Sequence, residues 1–133
     1  MKFHLQAPTA TLVTGLGPGW VRVGEREYRE NVVLTPDVIV PGWAPGGFAA
    51  LAPADFAGLL EYAPELVLLG TGAAQRFPDP RLTGGLAAAG IGVDIMDTRA
   101  ACRTFNILIA EDRRVVAALL IDGDRPRFSS ETR

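Results

Sequence analysis

The chain has 133 residues, of which 48% are hydrophobic and 21% are charged, a length and composition typical of one compact domain. Thirteen Lys and Arg against fifteen Asp and Glu give a formal net charge of −2, so no basic surface for nucleic acid is expected. The composition excludes a disordered chain, and the single cysteine excludes a framework of internal disulfides.

The beginning of the chain and its apolar runs predict the cellular location of the protein. Met1 to Pro8 lacks the apolar core of a secretory signal. The longest apolar run, Val115 to Ile121, is far shorter than the roughly 20 residues of a membrane helix. We therefore expect a cytoplasmic protein without membrane insertion. It would have a single domain over residues 1–124 and a flexible polar tail over residues 125–133.

The first forty residues are typical of β structure. The segments 20–23 and 28–34 are rich in aromatic and β-branched residues, and the turn at 24–26 predicts that they form a hairpin. A third short strand is expected at 38–40, between two prolines. The prolines and glycines of 41–47 predict an irregular loop.

From residue 52 onward, helical and strand patterns alternate. Pro53 suits a first helical position, and Phe56, Leu59, Leu60 and Ala63 form one apolar stripe, which predicts a helix over 53–63. The other predicted elements are strands at 66–69, 91–95 and 115–121 and helices at 80–89 and 98–111. This order predicts a three-layer α/β domain. Its mixed, mostly parallel central sheet would carry helices and an added N-terminal antiparallel layer.

A glycine-containing loop, Gly70 to Gln75, follows the first buried strand. Its glycines would let the backbone approach a ligand, and its amides could hold an anion. Asp94, near the end of the next strand, is placed like the acidic residue of a dinucleotide site, but Gln75 stands where the last glycine belongs. The loop is therefore either a plain turn or a pocket for another small molecule, with binding residues Gly70, Thr71 and Gly72.

Two other glycine-containing segments are interpreted as turns. Gly15 to Trp20 resembles a phosphate loop, but it precedes a strand instead of a helix. Asp122 to Asp124 resembles the start of a calcium loop, but the remaining ligands are missing. Neither segment is predicted to be a site.

The start of the longest predicted helix is the second candidate site. Asp97 or Thr98 would cap it, and Cys102 would share a face with Thr98, whereas Arg103 is turned away by about 100°. A thiol there could be activated by the helix dipole and a guanidinium, with His4 as its imidazole partner. The alternative is that Cys102 is a small core side chain. The candidate binding residues of this segment are Asp97, Thr98, Cys102, Arg103 and Asn106.

Trp43 and Phe48 lie in the irregular loop. They are either exposed anchors for a protein partner or a lid folded onto the sheet. The sequence contains no Cys/His cluster for zinc, no Gly-x-Ser-x-Gly segment and no Walker sequence. We therefore predict no catalytic residue, no metal and no cofactor.

Three segments resemble a known family, the Mth-like domain of unknown function (DUF498 type). They are Leu66 to Gly72, Gly90 to Thr98 and Ala100 to Leu108, and their most specific part is Thr-x-x-Ala-Cys-Arg-Thr-Phe-Asn at Thr98 to Asn106. The resemblance extends over nearly the whole chain, from about Ile39 or earlier to Leu120. It implies a three-layer domain with a mixed central sheet and no established enzymatic activity.

The eukaryotic members of that family include the mitochondrial complex I assembly factor three and the adipogenesis-associated Mth-like protein. They imply a role in assembling a respiratory complex through protein contacts, and this chain resembles the short bacterial members. Our leading hypothesis is a non-catalytic adaptor with an unidentified protein partner. The alternative is a small-molecule or anion-binding protein, or an enzyme, with a cleft between the Gly70 loop and the Thr98 helix start. A monomer or a weak homodimer through the hairpin edge fits either hypothesis.

Overall fold

The computed structural model describes residues 11–121, which form two sheets and three helices. The tail over 125–133, His4 and the segment from Asp122 to Asp124 lie outside the described residues, so the predictions for them stay predictions. The strands are β1 (Val13–Gly17), β2 (Trp20–Val23), β3 (Arg26–Tyr28), β4 (Val32–Leu34), β5 (Ile39–Pro41), β6 (Leu66–Gly70), β7 (Gly92–Met96) and β8 (Val115–Leu119), and the helices are α1 (Pro53–Ala57), α2 (Gly84–Ala88) and α3 (Thr98–Ala110).

The central sheet has five strands in the order β5-β4-β8-β6-β7. β6 pairs in parallel with β7 and β8, and β4 pairs antiparallel with β5 and β8. Helix α2 connects β6 to β7 on one face, and α3 leads back across β6 to β8 on the other. The connections therefore change direction between β6 and β8, at a topological switch point.

Two apolar cores cover the two faces of the central sheet. On one face, Leu68 and Leu119 pack with Phe105 of α3 and with Val21 of the small sheet β1-β2-β3. On the other face, alternate strand residues pack against α1 and α2: Val67, Leu69, Val116 and Ala118. Because β6 and β8 are buried on both faces, their sequences are continuous apolar runs. The predicted three-layer α/β class with an added antiparallel layer is confirmed.

The β-rich first third differs from the prediction in its connections. β2 and β3 form the expected hairpin, with Arg22 opposite Glu27. The predicted strand over 28–34 is divided, because Tyr28 pairs with β2 whereas 32–34 forms β4 of the central sheet. The strand β1 was not predicted, since its glycines at 15 and 17 weaken strand propensity.

Two predicted helices are shorter than their apolar stripes suggest. The α-helical part over 53–57 continues as a 3₁₀ turn over Gly58–Tyr62 and ends at Ala63, which has a φ of 51°. The predicted helix over 80–89 begins as a 3₁₀ turn and becomes α-helical only at Gly84. Glycines and prolines at these positions weaken the regular α-helix.

Candidate functional site

The two predicted site segments meet at the carboxyl ends of β6 and β8. The Gly72 N–H donates to Thr98 Oγ1 at 2.8 Å, and the Thr98 N–H donates back to the Gly72 carbonyl at 2.8 Å. The buried Thr98 hydroxyl also donates to the Leu120 carbonyl at 2.9 Å. A Cβ added at Gly70 would lie 3.0 Å from both Thr98 Cα and Thr98 Oγ1, which leaves little room for a larger residue. Thr98 therefore joins the Gly70 loop, α3 and the end of β8.

Hydrogen bonds within the protein already occupy several amides of the Gly70 loop. The Thr71 N–H donates to the Met96 carbonyl at 2.9 Å. The buried Thr71 hydroxyl donates to the Ala74 carbonyl at 2.7 Å and accepts the Arg76 N–H at 2.9 Å. Together with the bonded Gly72 amide, these contacts describe a turn folded around Thr71. The amides of Thr71 and Gly72 are therefore not free to hold an anion.

A cleft of about 420 Å³ opens beside this junction. One wall is apolar and comes from the turn between β1 and β2, with Leu16, Pro18 and Trp20. A polar part of the lining comes from the start of α3, and Gly17, Gly72, Ala73, Leu120 and Ile121 complete it. Clefts outside the carboxyl ends of parallel strands at a switch point are common ligand sites in α/β folds. The segment from Gly15 to Trp20, interpreted above as a turn, thus contributes to the cleft wall.

The candidate residues of α3 have different surroundings. Asp97 caps the helix by accepting the Ala100 N–H at 2.8 Å, and it lines the cleft with Thr98 and Arg99. Arg103 is exposed and outside the cleft lining. The Asn106 amide bonds Val13 at both its N–H and its carbonyl, each at 2.9 Å, which attaches β1 to the helix. Only the first turn of α3 therefore contacts the cleft.

Cys102 is a core side chain, with 2% of its surface exposed between α3 and the sheet. Burial raises its pKa from 9.0 to about 12, which outweighs the attraction of the thiolate to Arg99, and Asp97 raises it further. The buried thiol is therefore protonated at neutral pH. This favours the core interpretation of Cys102 over an activated nucleophile.

The loop with Trp43 and Phe48 is folded against the protein. The Trp43 indole N–H donates to the Asp55 carbonyl at 3.0 Å, and its ring meets Phe56 edge-on at 5.7 Å between centroids. The Arg76 guanidinium lies 4.4 Å from the centroid of the Phe48 ring and donates to the Thr71 carbonyl at 2.8 Å. Arg76 thus connects this loop to the Gly70 loop, a link that sequence reasoning missed.

Phe77 is the other residue that sequence reasoning missed. It follows Arg76, and 70% of its surface is exposed, more than for the other exposed large hydrophobic residues among residues 11–121. Pro78, directly after it, is buried. The pattern Phe77-Pro-Asp-Pro could have pointed to it, because prolines on the same segment restrict the backbone around an apolar side chain.

A family model described as a protein of unknown function (DUF498/DUF598) matches residues 13–120. The chain belongs to this family. A protein from Rhodobacter capsulatus that is described as uncharacterized is 32% identical over 108 residues, which are 81% of this chain and 82% of that protein. NADH dehydrogenase (ubiquinone) 1 alpha subcomplex assembly factor 3 of Bos taurus is 32% identical over 77% of this chain. The match spans only 55% of the bovine protein.

A solved structure shows the same fold. The solution structure of a Bordetella pertussis protein, described as a Mth938-like domain, superposes with a TM-score of 0.76 and 32% identity, and the match covers 100% of both chains. In the part of this chain that the structure describes, no helix is long and apolar enough to cross a membrane. Residues 11–121 also bring together no group of three His, Cys, Asp or Glu side chains that could hold a metal ion.

Proposed function

We propose that this DUF498 domain is a cytoplasmic assembly factor that binds a protein partner and catalyses no reaction. The observation that carries the proposal is the likeness to the bovine complex I assembly factor, which extends over 77% of this chain. The bacterial respiratory complex I is the corresponding target. The match covers 55% of the bovine protein. We therefore expect the partner of this chain to contact the domain that the two proteins share.

The contact surface that we propose is centred on Phe77. Its exposed ring would be buried in a pocket of the partner, as aromatic anchors at interfaces commonly are. The segment around it is held in place, since Arg76 is bonded to Thr71 and packed on Phe48, and Pro78 is buried. A preorganised anchor loses less conformational entropy on binding than a mobile one. We call Phe77, Arg76 and Phe48 the Phe77 surface.

Deleting the gene in its native host is expected to lower the amount of assembled complex I, measured on native gels and as NADH oxidation by isolated membranes. The wild-type gene should restore both. The Phe77→Ala variant should restore them poorly, because truncating an aromatic anchor weakens binding by roughly tenfold or more.

Ile107→Ala is the matched control, because Ile107 is also an exposed hydrophobic residue, 54% exposed, but lies on α3. It should restore complex I like the wild type. Normal complex I in the deletion strain would contradict the assembly role. Equal restoration by Phe77→Ala and wild type would contradict the Phe77 surface.

Binding of a small molecule is a second candidate function, favoured by the cleft at the switch point. The cleft volume lies in the range of ligand sites, and the lining combines the apolar Trp20 with the polar Thr98 and Arg99. Asp97 places a carboxylate at the helix start, so a purely anionic ligand fits poorly. An aromatic or aliphatic body with a hydrogen-bonding end fits this lining better.

Native mass spectrometry of protein purified without denaturation tests the second candidate. A bound small molecule that is lost in Trp20→Ala but retained in Trp43→Ala would support the cleft. Protein of bare mass, purified from its native host, would count against it.

A further inference from the structure

The outer edge of β7 offers unpaired backbone groups in the described part of the chain. β7 is an edge strand of five residues whose sole strand neighbour within residues 11–121 is β6. At the opposite edge of the central sheet, β5 has three residues and ends at Pro41, which has no N–H to donate. Of the two edges, β7 is therefore the one able to accept a further strand.

The hydrogen bonds at the end of β7 show which of its groups face outward. The Met96 carbonyl accepts the Thr71 N–H and so points toward β6. Because peptide groups alternate along a strand, the N–H and carbonyl groups of Ile95 and Val93 point away from β6. The Ile95 carbonyl accordingly accepts the Gln75 side-chain amide at 2.8 Å. Gln75 thus supplies an N–H where the backbone of an added strand would supply one.

The side chains along this edge define the chemistry of a partner. Val93 and Ile95 are half-buried and face the core that contains α1 and α2. Asp94 points to the opposite face and is exposed. An added strand would therefore carry aliphatic residues beside Val93 and Ile95 and a Lys or Arg beside Asp94, since opposite charges on neighbouring strands attract.

We infer that β7 binds an extended basic-aliphatic segment of a protein partner, which would add a sixth strand to the central sheet. The inference rests on the proposed protein-binding function and names where the partner's backbone lies. Phe77 follows Gln75 by two residues, which places its Cα within about 7 Å of the Gln75 Cα along the chain. The Phe77 surface and the β7 edge are thus neighbours, and one partner segment can reach both.

The test uses two capped peptides, Thr-Val-Lys-Val-Lys-Val-Thr and its counterpart with Glu in place of Lys, titrated into the ¹⁵N-labelled full chain. We expect saturable shifts of the Val93 and Ile95 amide signals, with binding of the Glu peptide weaker by about threefold or more because Asp94 repels it. Asp94→Asn should remove most of this difference. No saturable shift at these amides at millimolar peptide would overturn the inference.

Val93→Pro separates edge binding from loss of fold. The Val93 N–H points away from β6. Proline at this position therefore removes a group that would bond the peptide but keeps the pairing of β7 with β6. The variant should keep the amide spectrum of the folded chain and lose peptide binding. Unchanged binding by a folded Val93→Pro variant would overturn strand addition.

If Val93→Pro restores complex I and Phe77→Ala does not, strand addition fails and the proposed function stands. A deletion strain with normal complex I refutes the proposed function whatever the peptides do.

Discussion

Replacing Thr98 with valine is expected to lower the free energy of unfolding by about 3 kcal/mol, because two buried backbone groups lose their partner. The Thr98 hydroxyl accepts the Gly72 N–H and donates to the Leu120 carbonyl, and water cannot easily replace it in a site only 6% exposed. Valine keeps the shape and the helix propensity of threonine but offers neither a donor nor an acceptor. A loss of this size changes the ratio of folded to unfolded protein by roughly 100-fold.

Urea unfolding followed by tryptophan fluorescence measures the effect, and two variants control for it. Thr104→Val makes the same change at a half-buried position of the same helix and should cost less than about 0.5 kcal/mol. Thr98→Ser keeps the hydroxyl and should retain most of the stability, losing about 1 kcal/mol for the methyl group. Equal stability of Thr98→Val and Thr104→Val would show that the hydroxyl does not hold the Gly70 loop and β8 together.

Alkylation of Cys102 by iodoacetamide at pH 8 is expected to be about 1000-fold slower in the folded protein than in urea. The thiolate is the reactive form, and burial that raises the pKa from 9.0 to about 12 lowers its fraction by about three powers of ten. Comparable rates in the two states would contradict the core position of Cys102. Mass spectrometry of samples quenched over time measures both rates.

The same pKa shift predicts how stability depends on pH. A thiol whose pKa is higher in the folded state holds its proton more tightly there, so its contribution is fully present below about pH 9. It is lost as the pH rises from about 9 to about 12. In urea unfolding, the wild type should therefore lose more stability over this range than Cys102→Ala, which lacks the titrating group. If the free energy of unfolding falls equally with pH in the two proteins, the raised pKa of Cys102 is contradicted.

Local pattern was enough to predict the elements of the second half of the chain. The apolar runs that became β6 and β8 are buried on both faces, and the Asp97 cap marks the start of α3. The first third was harder, because Tyr28 and Val32 lie on one β-rich stretch but belong to different sheets. Strand propensity describes how a residue fits a pleated surface and carries no information about which sheet it joins.

The site shows the same limit of local reasoning. Gly72 and Thr98, candidates from separate motifs, contact each other across 26 residues of sequence. Cys102 and Arg103 are neighbours in the chain, yet Cys102 is in the core and Arg103 is exposed. Trp43, a candidate anchor, bonds to the Asp55 carbonyl, whereas Phe77, which is not among the predicted site residues, is largely exposed. Exposure depends on what packs against a residue, and the partners here come from distant segments.

The sequence by itself determined the α/β class, the order of the helices and strands after residue 52 and the family, because these depend on short-range periodicity and on a contiguous motif. Only the tertiary structure decided the strand order, the junction at Thr98, the protonated core position of Cys102 and the place of β7 at an edge of the sheet within residues 11–121. Each of these depends on groups that are distant in sequence but in contact in space, where burial and hydrogen-bond geometry set the energy.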